Sequence, residues 1–132
     1  MLKEYDGRVR LIYRDFPLPV HTLAMPAHEA ARCAGEQGRY WAYHDVLFER
    51  QPRFEHDDLV AYAINLNLDR ERFTRCLDGH TSRAAVEADL AEGRALGVRS
   101  TPTFFINGKP LVGAQPVETF RAAIDSALRA AR

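Results

Sequence analysis

The stretch Thr103-Phe104-Phe105-Ile106-Asn107-Gly108-Lys109-Pro110-Leu111-Val112 constrains the fold more than any other. Two short apolar runs flank Asn-Gly, the dipeptide best suited to a type I′ turn, whose two central residues both need positive φ. The spacing therefore predicts a β-hairpin over 103–113. Pro110 has no N–H to give to a ladder, which places the second strand at a sheet edge. A lone hairpin is marginal in water and has to lean on other elements. Downstream, Val117, Phe120, Ile124 and Leu128 recur at helical spacing behind Pro116, a residue suited to the first position of a helix. Upstream, residues 8–14 alternate, with Val9, Leu11 and Tyr13 on one face and Arg8, Arg10 and Arg14 on the other. That pattern predicts a half-buried strand near a sheet edge, its arginine face in solvent.

Between these strands the periodicity is helical. Helices are expected over 22–37, 39–51, 57–66, 70–78 and 82–96, with Gly38, Gly79 and Gly97 as stops and Asp69 as an N-cap. Their apolar stripes include Leu59, Ala63 and Leu66, then Phe73, Cys76 and Leu77, then Val86, Leu90, Gly93 and Leu96. Residues 1–7 read as the last turns of a helix stopped by Gly7, not as a signal peptide. The order strand, five helices, hairpin, helix predicts an α/β layer in one domain over 1–132. A helical cap of about 21–96 is inserted between strand 8–14 and hairpin 103–113.

Composition narrows the function. With 18 basic and 18 acidic residues the chain is neutral, so the electrostatic argument for nucleic acid or a membrane surface is missing. No apolar run is long enough for a membrane span. Two cysteines are too few for a disulfide scaffold or a Cys₄ zinc site. The five histidines, His21, His28, His44, His56 and His80, lack metal-ligand spacing, so neither metal nor cofactor is expected. Trp41, Tyr40 and Tyr43 are assigned to core packing ahead of a peptide groove, and His44 to packing beside them.

Residues 100–109, Ser-Thr-Pro-Thr-Phe-Phe-Ile-Asn-Gly-Lys, resemble the cis-proline loop and following hairpin of the thioredoxin superfamily. Residues 9–18, the segment Ala30-Ala31-Arg32-Cys33-Ala34, the segment Tyr40-Trp41-Ala42-Tyr43-His44-Asp45 and Leu96-Gly97-Val98 are similar to its DsbA-like branch, which inserts a helical cap. The resemblance spans essentially the whole chain. It implies a thioredoxin-like α/β fold and a family of thiol-disulfide oxidoreductases acting on protein or peptide thiols and disulfides. The family's reactive centre is a Cys-x-x-Cys at a helix N-terminus, where the dipole and free N–H groups stabilise the thiolate. This sequence contains no Cys-x-x-Cys; Cys33 and Cys76 stand 43 positions apart. On this alignment 1–6 falls at the end of the family's first helix. The first central strand, the reactive pair and most of that helix are then expected to be missing, and the chain itself to be inactive.

The resemblance also implies site residues. Thr101-Pro102 is expected to be cis, and Ser100, Thr101 and Pro102 to contact a substrate peptide added as a strand. Cys33 and Cys76 are either buried free thiols or, as in some members of the branch, a structural disulfide stapling the cap. The gap left by the missing strand is expected to close by direct pairing of 8–14 with 103–106, or to be filled by a second copy in an exchanged homo-oligomer. Two functions follow. One is the body of a disulfide oxidoreductase or isomerase, placed outside the cytoplasm in full-length family members although no signal peptide is present as written. The other is a redox-inert peptide-binding or assembly module. A glutathione-dependent relative is a third option, and no residue supports its glutathione site.

Overall fold

A computed structural model describes residues 2–131. The chain forms two compact units, a helical one from Asp15 to Gly93 and a terminal one that joins the residues through Arg14 to those from Arg94 onward.

The helical unit holds α1 (Ala24–Gly35), α2 (Tyr40–Arg50), α3 (His56–Asn65), α4 (Arg70–Asp78) and most of α5 (Arg83–Ala95). Local chemistry sets several of these ends. The Asp69 carboxylate accepts the Arg72 N–H at 3.0 Å and starts α4, and the N–H groups of Gly79 and His80 close it onto the carbonyls of Arg75 and Leu77. Asp58 reaches back to the Glu55 N–H at 3.2 Å and fixes the start of α3. Alanines at 30, 31 and 34 let α2 and α4 pack closely on α1, around a core of Tyr43, Leu59, Ala63 and Phe73. Tyr43 is fully buried, and its hydroxyl donates to the Leu59 carbonyl at 2.8 Å. Burial pushes that hydroxyl's pKa far up, so it serves as a neutral donor.

In the terminal unit a 3-10 turn over Leu2–Tyr5 ends before Gly7, whose φ of +74° suits glycine. Strands β1 (Thr103–Ile106) and β2 (Lys109–Val112) form an antiparallel hairpin with Thr103 opposite Val112 and Phe105 opposite Pro110. Asn107 and Gly108 have φ of 49° and 85°, the geometry the Asn-Gly pair predicts. Helix α6 (Val117–Ala130) covers one hairpin face, with the Phe104 and Phe120 rings edge to face at 4.8 Å. Tyr5 donates to Asp125 at 2.9 Å and Arg121 pairs with Glu4, which ties the first turn to α6. Pro116 is the N-cap and Val117 the first helical residue, one position later than the sequence suggests. Among the described residues no helix is long and apolar enough to cross a membrane.

Two expectations need correction. Residues 8–14 do not form a strand: 9–18 have no regular secondary structure, and Leu11 and Ile12 are exposed. Nor do they close on 103–106, since β1 pairs only with β2 among the described residues. Alternation records which side chains would share a face. A strand also needs a neighbour for its N–H and C=O groups, and among the described residues no strand pairs with this stretch. The second correction concerns Trp41, which lies 46 % exposed on α2 beside His44, while Tyr43 is buried in the core and Tyr40 packs against it.

Candidate functional site

Ser100, Thr101 and Pro102 lie in an exposed loop between α5 and β1, and the Thr101–Pro102 peptide is cis. Local bonds hold this loop. The Thr103 hydroxyl donates to the Ser100 carbonyl at 2.7 Å, and the Gly113 N–H donates to the Pro102 carbonyl at 2.8 Å, carrying the ladder one residue beyond β1.

That last bond fixes which way each backbone group points. In an antiparallel pair the inward-facing and outward-facing residues alternate. Since Pro102 faces Gly113, residues 104 and 106 also turn their polar groups toward β2. Thr103 and Phe105 therefore turn theirs toward the opposite edge, where no strand pairs among the described residues. On β2 the outward positions are Pro110 and Val112, and Pro110 has no donor to offer. The sheet thus has one edge with donors and acceptors and one edge short of a donor. The hairpin face turned away from α6 carries Phe105, Pro110 and Val112, all exposed. Beside the 100–102 loop, this arrangement can hydrogen-bond an extended backbone and pack its apolar side chains.

The cysteines lie in the helical unit. Cys33 of α1 and Cys76 of α4 are joined as a disulfide with Cα atoms 5.8 Å apart, 1 % and 6 % exposed. The chain has no free cysteine, so it offers no thiolate nucleophile. Cross-linking residues 43 positions apart stabilises the fold by about 4 kcal/mol in the chain-entropy model. The Ser82 hydroxyl sits 3.8 Å from the sulfur of Cys33 and 3.7 Å from that of Cys76.

Two charged clusters in this unit escape sequence reading. In one, Arg32 bridges two buried carboxylates, with Nε 2.6 Å from Asp15 and Nη2 2.7 Å from Asp89. The Asp15 N–H also donates to Asp89 at 3.0 Å, and His28 Nδ1 is 2.9 Å from Asp15. Burial alone would push the Asp15 carboxyl up, but His28 and then Arg32 outweigh it and hold it below the ordinary carboxylate range. In the other, the carboxylate of Glu29, 1 % exposed, meets His80 at 3.0 Å and Arg83 at 3.3 Å. In the sequence, the histidines signalled only solvated or hydrogen-bonded roles, with no partner named. Glu29 stands 51 and 54 positions from His80 and Arg83, and Arg32 stands 57 from Asp89, so no local pattern announces these contacts. Among the described residues no cluster of three or more His, Cys, Asp or Glu is placed to hold a metal ion. His56 instead pairs with Asp78 at 2.7 Å, and His44 stacks between Trp41 and Phe48.

A family model described as thioredoxin matches residues 1–126. The chain is similar to Na(+)/H(+) antiporter NhaA 3 of Salinispora tropica, 38 % identical across 100 % of this chain and 20 % of that protein. It is 37 % identical to Na(+)/H(+) antiporter NhaA 1 of Salinispora arenicola, over 94 % of this chain and 19 % of that protein. With Na(+)/H(+) antiporter NhaA of Herminiimonas arsenicoxydans the identity is 38 %, over 87 % and 18 %. The chain thus spans about a fifth of the length of these curated relatives. No solved structure matches it.

Proposed function

This chain belongs to the thioredoxin family, and from that premise we propose that it is the peptide-presenting body of a DsbA-like thiol-disulfide exchange domain, with no exchange chemistry of its own. The observation that carries this reading is the open edge of β1, with the outward N–H and C=O groups of Thr103 and Phe105 beside the exposed loop Ser100-Thr101-Pro102. An extended peptide aligned on that edge gains main-chain hydrogen bonds, and Phe105 and Val112 offer apolar contact for its alternate side chains. Disulfide exchange needs a thiolate, and both sulfurs of this chain are buried in one bond. A cysteine that attacks a substrate disulfide therefore comes from outside these residues.

The similarity to proteins named as Na(+)/H(+) antiporters favours a second reading. In it the same peptide-binding edge serves a redox-inert module that works with an antiporter of that kind.

Binding is tested by amide NMR shifts of the ¹⁵N-labelled chain on titration with an extended peptide bearing alternate apolar residues. Shifts confined to 100–106 and their loss in Thr103→Pro, which removes an outward donor, are expected. Shifts centred on the helical unit would sink the proposal. So would a dimer by light scattering whose Thr103 and Phe105 amides resist exchange, because a second copy would then occupy the edge. Insulin reduction separates the two readings only when a longer polypeptide is assayed, and the 132 residues alone are expected to give no turnover.

A further inference from the structure

We propose that Glu29, His80 and Arg83 form a latch over the Cys33–Cys76 disulfide, so that the turn 79–82 sets how fast a dithiol can reduce it. The disulfide is out of reach of solvent, and Ser82, itself only 8 % exposed, lies against both sulfurs. Thiol-disulfide exchange requires the attacking thiolate to reach a sulfur, so whatever holds Ser82 in place controls access. Ser82 stands at the end of a turn that begins at Gly79. His80 in that turn has φ of +52°, the left-handed region that L-residues with a Cβ seldom occupy. Backbone bonds from the N–H groups of His80 and Thr81 to the Leu77 and Cys76 carbonyls shape the turn, and side-chain bonds from α1 clamp it from outside. Glu29, one helical turn before Cys33, takes His80 on one carboxylate oxygen at 3.0 Å and Arg83 on the other at 3.3 Å. The two partners flank Ser82 in sequence, and both are about half exposed while the carboxylate is buried. Releasing them frees the turn from its outer side and leaves the core helices packed.

The chemistry then balances with a dithiol as reductant. Its thiolate attacks the sulfur of Cys76, the less buried of the two residues, and Cys33 leaves with the bonding electron pair as a thiolate. The second thiol of the reductant closes a ring, expels Cys76 and completes a two-electron transfer. The reductant ends as a disulfide and the chain gains two thiols. The loss of the cross-link between α1 and α4 makes the helical unit responsive to redox state. This inference concerns the helical unit alone and stands whether or not the terminal unit binds peptides.

The test is the rate of thiol appearance in the folded chain under excess dithiothreitol at fixed pH, read by alkylation and intact mass. His80→Asn keeps a residue type that tolerates positive φ while shortening the side chain, and Glu29→Gln removes the shared charge. Both are expected to react about tenfold faster than the parent, the factor that corresponds to about 1.4 kcal/mol of easier opening. His56→Asn, which breaks a histidine–aspartate pair between α3 and α4, is expected to stay within about twofold, since a solvent-exposed pair contributes little. Rates for His80→Asn and Glu29→Gln within twofold of the parent would overturn the latch. An equal acceleration in His56→Asn would also overturn it. A parent rate that rises with urea as steeply as global unfolding does would overturn it as well, because reduction would then need the whole unit to open.

Discussion

Arg32→Met tests whether the charged cluster holds the entry of the helical unit together. Arg32 bridges Asp15 and Asp89, which are 2 % and 7 % exposed. Its removal takes a cation from two buried carboxylates that lie near one another; Asp15 keeps its contact with His28, and Asp89 still accepts the Asp15 N–H. Breaking a buried ion pair destabilises by about 3–5 kcal/mol. Arg32 is 31 % exposed, so water screens part of the interaction, and about 3 kcal/mol is the expected loss. That is a large share of the roughly 5–15 kcal/mol that keeps a domain folded. Urea unfolding at neutral pH, followed by far-ultraviolet circular dichroism, measures it. Adding Asp89→Asn to the variant relieves the carboxylate repulsion and is expected to restore about 1 kcal/mol or more. The Asp15 carboxyl gives a second readout. Its folded pKa lies below the unfolded value, so its contribution is fully present above pH 3.8 and is lost as pH falls through the folded pKa. Without Arg32, burial has less opposing it, and acid unfolding should begin at higher pH. A loss under about 1 kcal/mol in Arg32→Met, or a double variant no more stable than the single one, would refute the reasoning.

Tyr43→Phe removes the donor to the Leu59 carbonyl in the most buried part of the core. The same unfolding assay should show a loss of about 1 kcal/mol, the low end for an orphaned acceptor, because a helical carbonyl keeps its backbone partner; an unchanged stability would show that the bond contributes nothing. His56 should titrate above its ordinary value of 6.5, chiefly through its hydrogen bond to Asp78. Its small contribution is then fully present below pH 6.5 and fades as pH rises through the folded pKa. The imidazole proton shift in NMR should fall back toward the ordinary value in Asp78→Asn, and a titration indifferent to that change would show that Asp78 is not the cause.

What could be read from the sequence was local. The Asn107-Gly108 turn, the Asp69 cap and the Gly79 stop each depend on a few adjacent residues, and the structure forms all three. The pattern at 8–14 was as clear, yet it formed no strand, because its missing ingredient was a neighbour rather than a side chain. Helical spacing put Cys33 and Cys76 on apolar faces and left open whether they were free or bridged, since facing each other depends on how α1 and α4 pack. The Arg32 and Glu29 clusters were invisible for the same reason. A buried charge is legible only with its partner, and these partners come from α5, from the turn before it and from the irregular stretch before α1.

The hairpin's own asymmetry bears on what the terminal unit can do. A two-stranded sheet of four-residue strands is marginal, and a third strand would add hydrogen bonds and cover apolar surface. Either edge of an ordinary hairpin could accept it. Here Pro110 removes a donor from the outer edge of β2, while Thr103 and Phe105 keep theirs on the outer edge of β1. A third strand is therefore favoured beside β1, next to the 100–102 loop. Growth in one direction only also protects the sheet from open-ended stacking, since a chain that pairs through β1 presents the donor-poor β2 to the next. The same proline that weakens the ladder thus gives strand addition a side, and that side is where the loop lies.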